Sequence, residues 1–197
     1  LKNHSDWSQF PRKNAIHLND THPALAVVEL MRYFVDETDL PFETAWDITT
    51  RTCAYTNHTL LPEALEKWPV ELMSHVLPRH MQLIYEINAR VLQQVEARWP
   101  GDGNRLRVIS MIEEGEAKQV RMTNVAVAGC HSINGVSALH SDLLKQRLLP
   151  EFVEMWPERF NNKTNGITHR RWLLEANPGL AGLITEHIGE RWMFDLD

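Results

Sequence analysis

The chain has 197 residues, a formal net charge of −6, 43% hydrophobic and 23% charged residues. That is the composition of an ordinary globular chain, with room for one large domain or parts of two. The acidic balance, a longest basic cluster of only His169-Arg170-Arg171, and the lack of any apolar run near the roughly 20 residues of a membrane helix exclude nucleic acid and membrane as expected partners.

Residues 1–13 are polar and contain Pro11, and they read as irregular. The start, Leu1-Lys2-Asn3-His4, has neither an initiator Met nor an apolar signal region, so the expectation is an internal stretch of something longer. Ala15-Ile16-His17-Leu18 alternates as a strand and runs into the capping cluster Asn19-Asp20-Thr21. Pro23 fits the first turn of a helix carrying Leu25, Val28, Met31 and Val35 at helical spacing. Pro41 opens a second helix, Phe42 to Arg51. Cys53-Ala54-Tyr55-Thr56 reads as a strand and Asn57-His58-Thr59 as its loop.

Helices are predicted over 63–68 and 70–98, with Pro78 kinking or splitting the second. Trp99-Pro100-Gly101-Asp102-Gly103 terminates it. Residues 104–112 are expected to be helical, 113–119 a turn between polar strands, 120–128 a strand, and 129–135 a loop. Val136, Leu139, Leu143, Leu144 and Leu148 mark the next helix. Residues 160–167 pass from polar strand to loop, 168–175 form a helix, and a last helix follows Asn177-Pro178-Gly179 to about Trp192. Strands alternating with helices give an α/β class, rich in helix.

The chemistry-bearing loops share a context. Residues 19–22, 56–59, 131–135 and 163–166 each follow a short strand and precede a helix, where open α/β sheets bind ligands. Their Asn, His and Asp side chains match a ligand with many hydroxyls, each of which both donates and accepts. The same residue types also serve plain capping and turn geometry. The ten histidines form no HExxH or other zinc pattern, so no metal is expected. GxSxG, P-loop and GxGxxG signatures are absent. Cys53 and Cys130 stand outside any CxxC pair and read as reduced thiols of a cytoplasmic protein.

Several stretches resemble the α-glucan (glycogen, starch or maltodextrin) phosphorylases. They are Ile16 to Pro23 (IHLNDTHP), Ala54 to Leu60 (AYTNHTL) with Pro62 to Glu66 (PEALE), Leu77 to Gln82 (LPRHMQ), Asn134-Gly135-Val136, Asn165 to Thr168 (NGIT) and Arg170-Arg171-Trp172. The likeness runs from about residue 14 to the end. It implies a two-domain, Rossmann-like glycosyltransferase fold of GT-B type. Residues 1–163 would be the later part of the N-terminal domain, and 164–197 the start of the C-terminal, cofactor-binding domain.

The implied activity is cleavage of terminal α-1,4-glucosyl units of an α-1,4-glucan by phosphate, giving glucose 1-phosphate. It would belong to a cytoplasmic, homodimeric, allosteric enzyme of glycogen degradation that uses pyridoxal phosphate. The cofactor lysine falls outside this stretch, so the chain alone is expected to be inactive and to hold no complete catalytic set. The competing reading is a non-catalytic carbohydrate- or partner-binding fragment.

By the same resemblance, His58 contacts the sugar near its 6-hydroxyl, Asn165 lies on the opposite wall, and Val136 is an apolar sugar contact. Asp20 and His22 line the pocket's far side, and Trp172 lies near the cofactor. Gln82, Tyr85, Asn88, Ser110, Glu114 and Lys118 match a separate oligosaccharide-holding surface. His169 departs from the family pattern, which usually has proline there.

Overall fold

The computed structural model describes residues 6–196, so the reading of Leu1-Lys2-Asn3-His4 lies outside the described residues. The chain divides into two compact units, Leu1–Lys163 and Thr164–Asp197.

In the first unit, the segment expected to be irregular is partly helical. Asp6 accepts the Ser8 N–H at 3.0 Å and caps a 3-10 turn, Trp7–Gln9, which continues into α1 (Phe10–Lys13). Trp7 and Phe10 pack edge-on against Phe34, with ring centroids 5.6 and 5.2 Å away. Two aromatic anchors in a polar stretch outweigh its average polarity.

Next come β1 (Ile16–Asn19) and α2 (Leu25–Arg32), which widens into π turns over Tyr33–Glu37. Pro23 sits in the turn before α2, not in its first helical turn. Then follow α3 (Phe42–Thr52) and β2 (Cys53–Thr56).

The helix expected over 63–68 is instead a 3-10 turn, Pro62–Ala64, and strand β3 (Lys67–Pro69). Six residues close too few helical hydrogen bonds to compete with strand pairing. Pro78 splits the following helix into α4 (Val70–Val76) and α5 (Pro78–Arg98). The break falls on Leu77 (φ −132°, ψ 60°), because a residue before proline is driven from helical geometry. Helix α6 (Gly103–Ile109) is capped by Asp102, which accepts the Arg105 N–H at 3.0 Å. It stops before the expected residue 112, which belongs to β4 (Ile112–Glu113).

Of the strand expected over 120–128, only β5 (Gln119–Arg121) is extended. The rest is α7 (Met122–Gly129), buried at every position. A continuous apolar run has no period to separate a fully buried helix from a buried strand. Residues 129–135, read as a loop, contain the inner strand β6 (Ser132–Gly135). Its polar residues are satisfied within the sheet: the Ser132 hydroxyl accepts from Asn161 Nδ2, and Asn134 Oδ1 from the Thr56 hydroxyl. Then come α8 (Ala138–Leu143), π turns over Leu144–Leu148, α9 (Pro150–Met155) and β7 (Phe160–Asn162).

These strands form a parallel sheet, β1-β2-β6-β7, and a small antiparallel sheet, β3-β5-β4. The fold is mixed α/β with many helices. Helix α2 packs on α3, α5 and α7, and Val28, Met31, Ile84, Ile87 and Val127 belong to the buried core. At Gly129 a Cβ would stand 2.4 Å from Val27 Cγ1, so glycine sets how closely α2 and α7 approach. Cys53 and Cys130 are free and buried, and burial pushes the Cys53 thiol up to about 12.

In the second unit, π turns over Arg170–Glu175 precede α10 (Pro178–Ile188), whose cap Asn177 accepts the Leu180 N–H at 3.2 Å. The last helix ends at Ile188, short of Trp192. Gly189, at φ 78°, turns the chain into a 3-10 turn, Arg191–Met193.

Candidate functional site: the strand ends of the parallel sheet

Strands β1, β2 and β6 end level, with Asn19 opposite Thr56 and Thr56 opposite Asn134. Side chains bridge across that edge. The Thr56 hydroxyl donates to Asn134 Oδ1 at 2.8 Å, so its lone pair accepts from His17 Nε2 at 2.6 Å. Asn134 Nδ2 in turn donates to the Gly135 carbonyl at 2.9 Å. The backbone bridges too: the N–H groups of Asp20, Asn57 and Lys163 reach the carbonyls of Thr56, Asn134 and Gly135 at 3.0, 2.9 and 3.1 Å. The loops bearing Asp20, His58 and Val136 therefore leave from one braced edge.

The first loop begins at Asp20, whose φ of 61° is in the left-handed region that Asp tolerates through local hydrogen bonding. Its Oδ1 accepts the Thr21 N–H at 2.8 Å. The buried Thr21 hydroxyl donates to Glu66 Oε2 at 2.8 Å, and His22 Nδ1 lies 3.5 Å from the same oxygen. Thr21, His22 and Glu66 rim a groove of about 240 Å³ that is walled by Leu25, Met73 and Val76.

The second loop is anchored by Asn57, which is wholly buried and donates from Nδ2 to the Tyr55 hydroxyl at 2.9 Å. Burial raises the Tyr55 phenol above its usual range, so it stays a neutral partner. His58 follows directly and is exposed.

The third loop is compressed against α8. A Cβ on Gly135 would lie 2.5 Å from Ser141 Oγ and 2.6 Å from His140 Nδ1. Ser137 caps the helix by accepting the His140 N–H at 3.1 Å, and His140 Nδ1 accepts the Val136 N–H at 3.1 Å. An accepting Nδ1 carries no proton, so the neutral ring is protonated on Nε2. Burial, and second the charge of His58, hold the His140 imidazole below its ordinary value. Residues 131–135, expected as a loop between strand and helix, are thus mostly strand, and the loop proper is only Val136 and Ser137.

The six residues matched to an oligosaccharide-holding surface divide. Gln82 and Tyr85 are exposed on α5, Tyr85 by 42%. Glu114 and Lys118 pair at 2.9 Å on the exposed hairpin between β4 and β5, and Tyr85 is near enough to help raise the Lys118 ammonium, after the larger effect of Glu114. Asn88 and Ser110 do not lie on a surface: each is 8% exposed. Asn88 Oδ1 accepts the Met111 N–H at 2.7 Å, and its Nδ2 donates to Ser110 Oγ at 3.3 Å. Three-residue spacing turns Asn88 inward from Gln82 and Tyr85, since the steps accumulate a drift around the helix.

Comparison with known proteins decides the family. The carbohydrate phosphorylase family profile matches residues 1–197. The chain belongs to that family. It is 55% identical over 193 residues to the muscle-form glycogen phosphorylases of Homo sapiens and Bos taurus, covering 98% of this chain and 23% of each relative. It is 56% identical over 190 residues to the brain-form glycogen phosphorylase of Rattus norvegicus, covering 96% of this chain and 23% of the relative. The chain thus spans about a quarter of the length of these phosphorylases.

In the second unit of this phosphorylase chain, Asn165 is exposed and Trp172 is 64% exposed on the π turns. His169 has a structural task. Its Nε2 donates to the Met193 carbonyl at 3.0 Å, beside Arg170 Nη1 at 2.9 Å, and its ring lies 5.8 Å from Trp192. Proline at this position would lack that donor.

Lys67 pairs with Glu113 and Lys118 with Glu114, Lys163 donates to Asn161 Oδ1 and the Asn162 carbonyl, and Lys13 and Lys145 lie on helical turns. Among the described residues no three His, Cys, Asp or Glu side chains converge to hold a metal, and no helix is long and apolar enough to cross a membrane.

Reading the sequence alone misses Thr21, Asn57, Glu66 and His140. Thr21, Asn57 and Glu66 lie inside quoted motifs, so the signal was present without a pairing rule. The Ser137-x-x-His140 spacing resembles a capping box, with histidine where Glu or Gln is usual.

Proposed function

We propose that this chain is part of an α-glucan phosphorylase. The full-length enzyme removes terminal α-1,4-linked glucosyl units with phosphate as glucose 1-phosphate, and unit 1 supplies one wall of the sugar pocket. The observation that carries this reading is the braced edge where Asp20, His58 and Val136 emerge from neighbouring parallel strands. In a family of carbohydrate phosphorylases, such an edge suits a neutral polyhydroxy ligand.

In this reading His58 hydrogen-bonds the glucosyl 6-hydroxyl, Val136 lays apolar area against the ring, and Asp20 and His22 line the far side. Thr21 and Glu66 hold His22, and Asn57 holds the backbone that presents His58. Fixing these groups before the sugar arrives lowers the ordering cost at the transition state. Asn165 is assigned a further sugar contact and Trp172 a place near the cofactor.

Unit 1 is read as the later part of the N-terminal domain and unit 2 as the start of the C-terminal domain of a GT-B fold. Pyridoxal phosphate, held by a lysine outside these residues, supplies a phosphate group for proton transfer when bound. The enzyme is assigned to the cytoplasm as a homodimer. Gln82, Tyr85, Glu114 and Lys118 form the exposed part of a second glucan-holding surface.

The test is to express the full-length reading frame, add pyridoxal phosphate, and assay glucose 1-phosphate from maltodextrin and phosphate. Product formation that requires both substrates is expected. A folded full-length protein that binds maltodextrin and releases no glucose 1-phosphate would establish the non-catalytic reading instead.

A further inference from the structure

His140 is not among the residues matched to the sugar site, yet its ring is set into that site's framework. Nδ1 accepts the N–H of Val136, and the ring lies where any side chain on residue 135 would stand. The next residue, Ser141, donates its hydroxyl to Asn162 Oδ1 at the end of β7, so the start of α8 is fixed to the sheet on two sides. Asn134, two residues before Val136, accepts the Asn57 N–H through its carbonyl. The backbones presenting Val136 and His58 therefore share one brace.

One feature is unexpected for a plain helix cap. His140 Nε2 is buried and has no hydrogen-bond partner among the described residues. Since Nδ1 accepts, Nε2 bears the hydrogen, and a buried, unpartnered donor costs stability. A Glu or Gln at the same capping-box position could reach the backbone without burying a ring donor. The ring also cannot take a second proton without losing the Val136 bond, because a protonated Nδ1 no longer accepts. Burial and the nearby charge of His58 both oppose that proton. A stability cost retained beside a ligand edge marks geometry kept for function.

We propose that His140 is a positioning residue for the glucosyl unit: its neutral ring fixes the Val136 backbone, and with it the apolar wall of the sugar pocket, in register with His58. The proposal rests on the phosphorylase reading above and deepens it. His140 touches no reacting atom; it acts through Val136.

The test uses the full-length enzyme with three variants. His140→Ala removes the acceptor. His140→Asn keeps an oxygen near the Nδ1 position and loses Nε2. Ser137→Ala removes the other half of the same cap without touching the Val136 N–H. Expected for His140→Ala is a fall in kcat/KM for maltodextrin of about ten- to a hundredfold. His140→Asn should recover most of that loss. Ser137→Ala should lower the melting temperature and leave kcat/KM within about threefold of wild type.

Wild-type kcat/KM in His140→Ala overturns the proposal. Equal kinetic losses in His140→Ala and Ser137→Ala, or no recovery in His140→Asn, reduce His140 to a helix cap and also overturn it. A wild-type enzyme without phosphorolysis overturns the functional reading first, and the role of His140 with it.

Discussion

Asn88 Oδ1 accepts the backbone N–H of Met111 at 2.7 Å, across 23 residues of sequence. This bond fastens the middle of α5 to the start of the β4-β5 hairpin, with Ser110 Oγ closing the joint on the Ile112 N–H and carbonyl. The joint fixes where the Glu114–Lys118 pair stands relative to Tyr85. Asn88 and Ser110 thus shape the exposed patch from beneath.

Asn88→Ala is accordingly expected to loosen the hairpin. It leaves the buried Met111 N–H unpaired, a loss of about 1–3 kcal/mol. Hydrogen exchange of residues 110–121 in the full-length protein should quicken by about ten- to a hundredfold, because local opening is the step affected. Unchanged exchange over that span would leave Asn88 without the joint role.

Tyr85→Ala should behave differently. Its ring is exposed and offers an apolar face to a sugar, worth about 0.5–1.5 kcal/mol. Affinity for long glucans should fall by about two- to tenfold, with hairpin exchange and short-oligosaccharide turnover unaltered. Equal glycogen binding by wild type and variant would make this an ordinary solvated helix face.

His58→Ala in the full-length enzyme should lower kcat by about ten- to a hundredfold. On the reading proposed above, the exposed imidazole accepts a hydrogen bond from the sugar hydroxyl, and that bond strengthens as the glycosyl group gains positive charge, a gain of about 1–3 kcal/mol. A variant whose KM alone rises would have lost only uniform binding.

The small sheet carries a pH dependence. Lys67 first, then Arg121, hold the Glu113 carboxyl below its ordinary value of 4.5. A depressed folded-state value means that ionised Glu113 adds stability above 4.5, and that this share is lost as pH falls through the folded value. In Glu113→Gln, the decline of melting temperature below pH 4.5 should be shallower than in wild type. Parallel curves would show that the pair is screened to nothing.

The 197 residues alone should yield no glucose 1-phosphate from maltodextrin and phosphate, with or without pyridoxal phosphate. They cover 23% of the related phosphorylases, and the reading above places the cofactor lysine outside them. Turnover above a buffer blank would refute the assignment of cofactor chemistry to the remaining chain.

Strands and helices with a clear period or a proline boundary, such as Cys53–Thr56 and the break before Pro78, were legible in the residues themselves. Met122–Gly129 was not, because an element apolar on every side carries no period. Ser132–Gly135 was not, because its polarity is satisfied by Thr56 and Asn161, which only the sheet brings near. The site shows the same limit. His58 and Asp20 stand in recognisable motifs. The supports of that edge, Glu66 beneath Thr21 and His140 behind Val136, are pairings across space. Asn88 shows the opposite failure, since three-residue spacing from Tyr85 led inward instead of along the exposed face.

Gly129 and Val27 occupy volume that can be divided only one way. A methyl group at 129 would enter the space of both Val27 γ-carbons, at 2.4 and 2.8 Å, and overpacking of this kind costs about 1–3 kcal/mol. The two positions are therefore free to drift only together: alanine at 129 becomes tolerable when residue 27 shrinks, and neither change is neutral alone. Among homologous chains this predicts paired exchange at 27 and 129, a historical record of one helix crossing that a single sequence does not display.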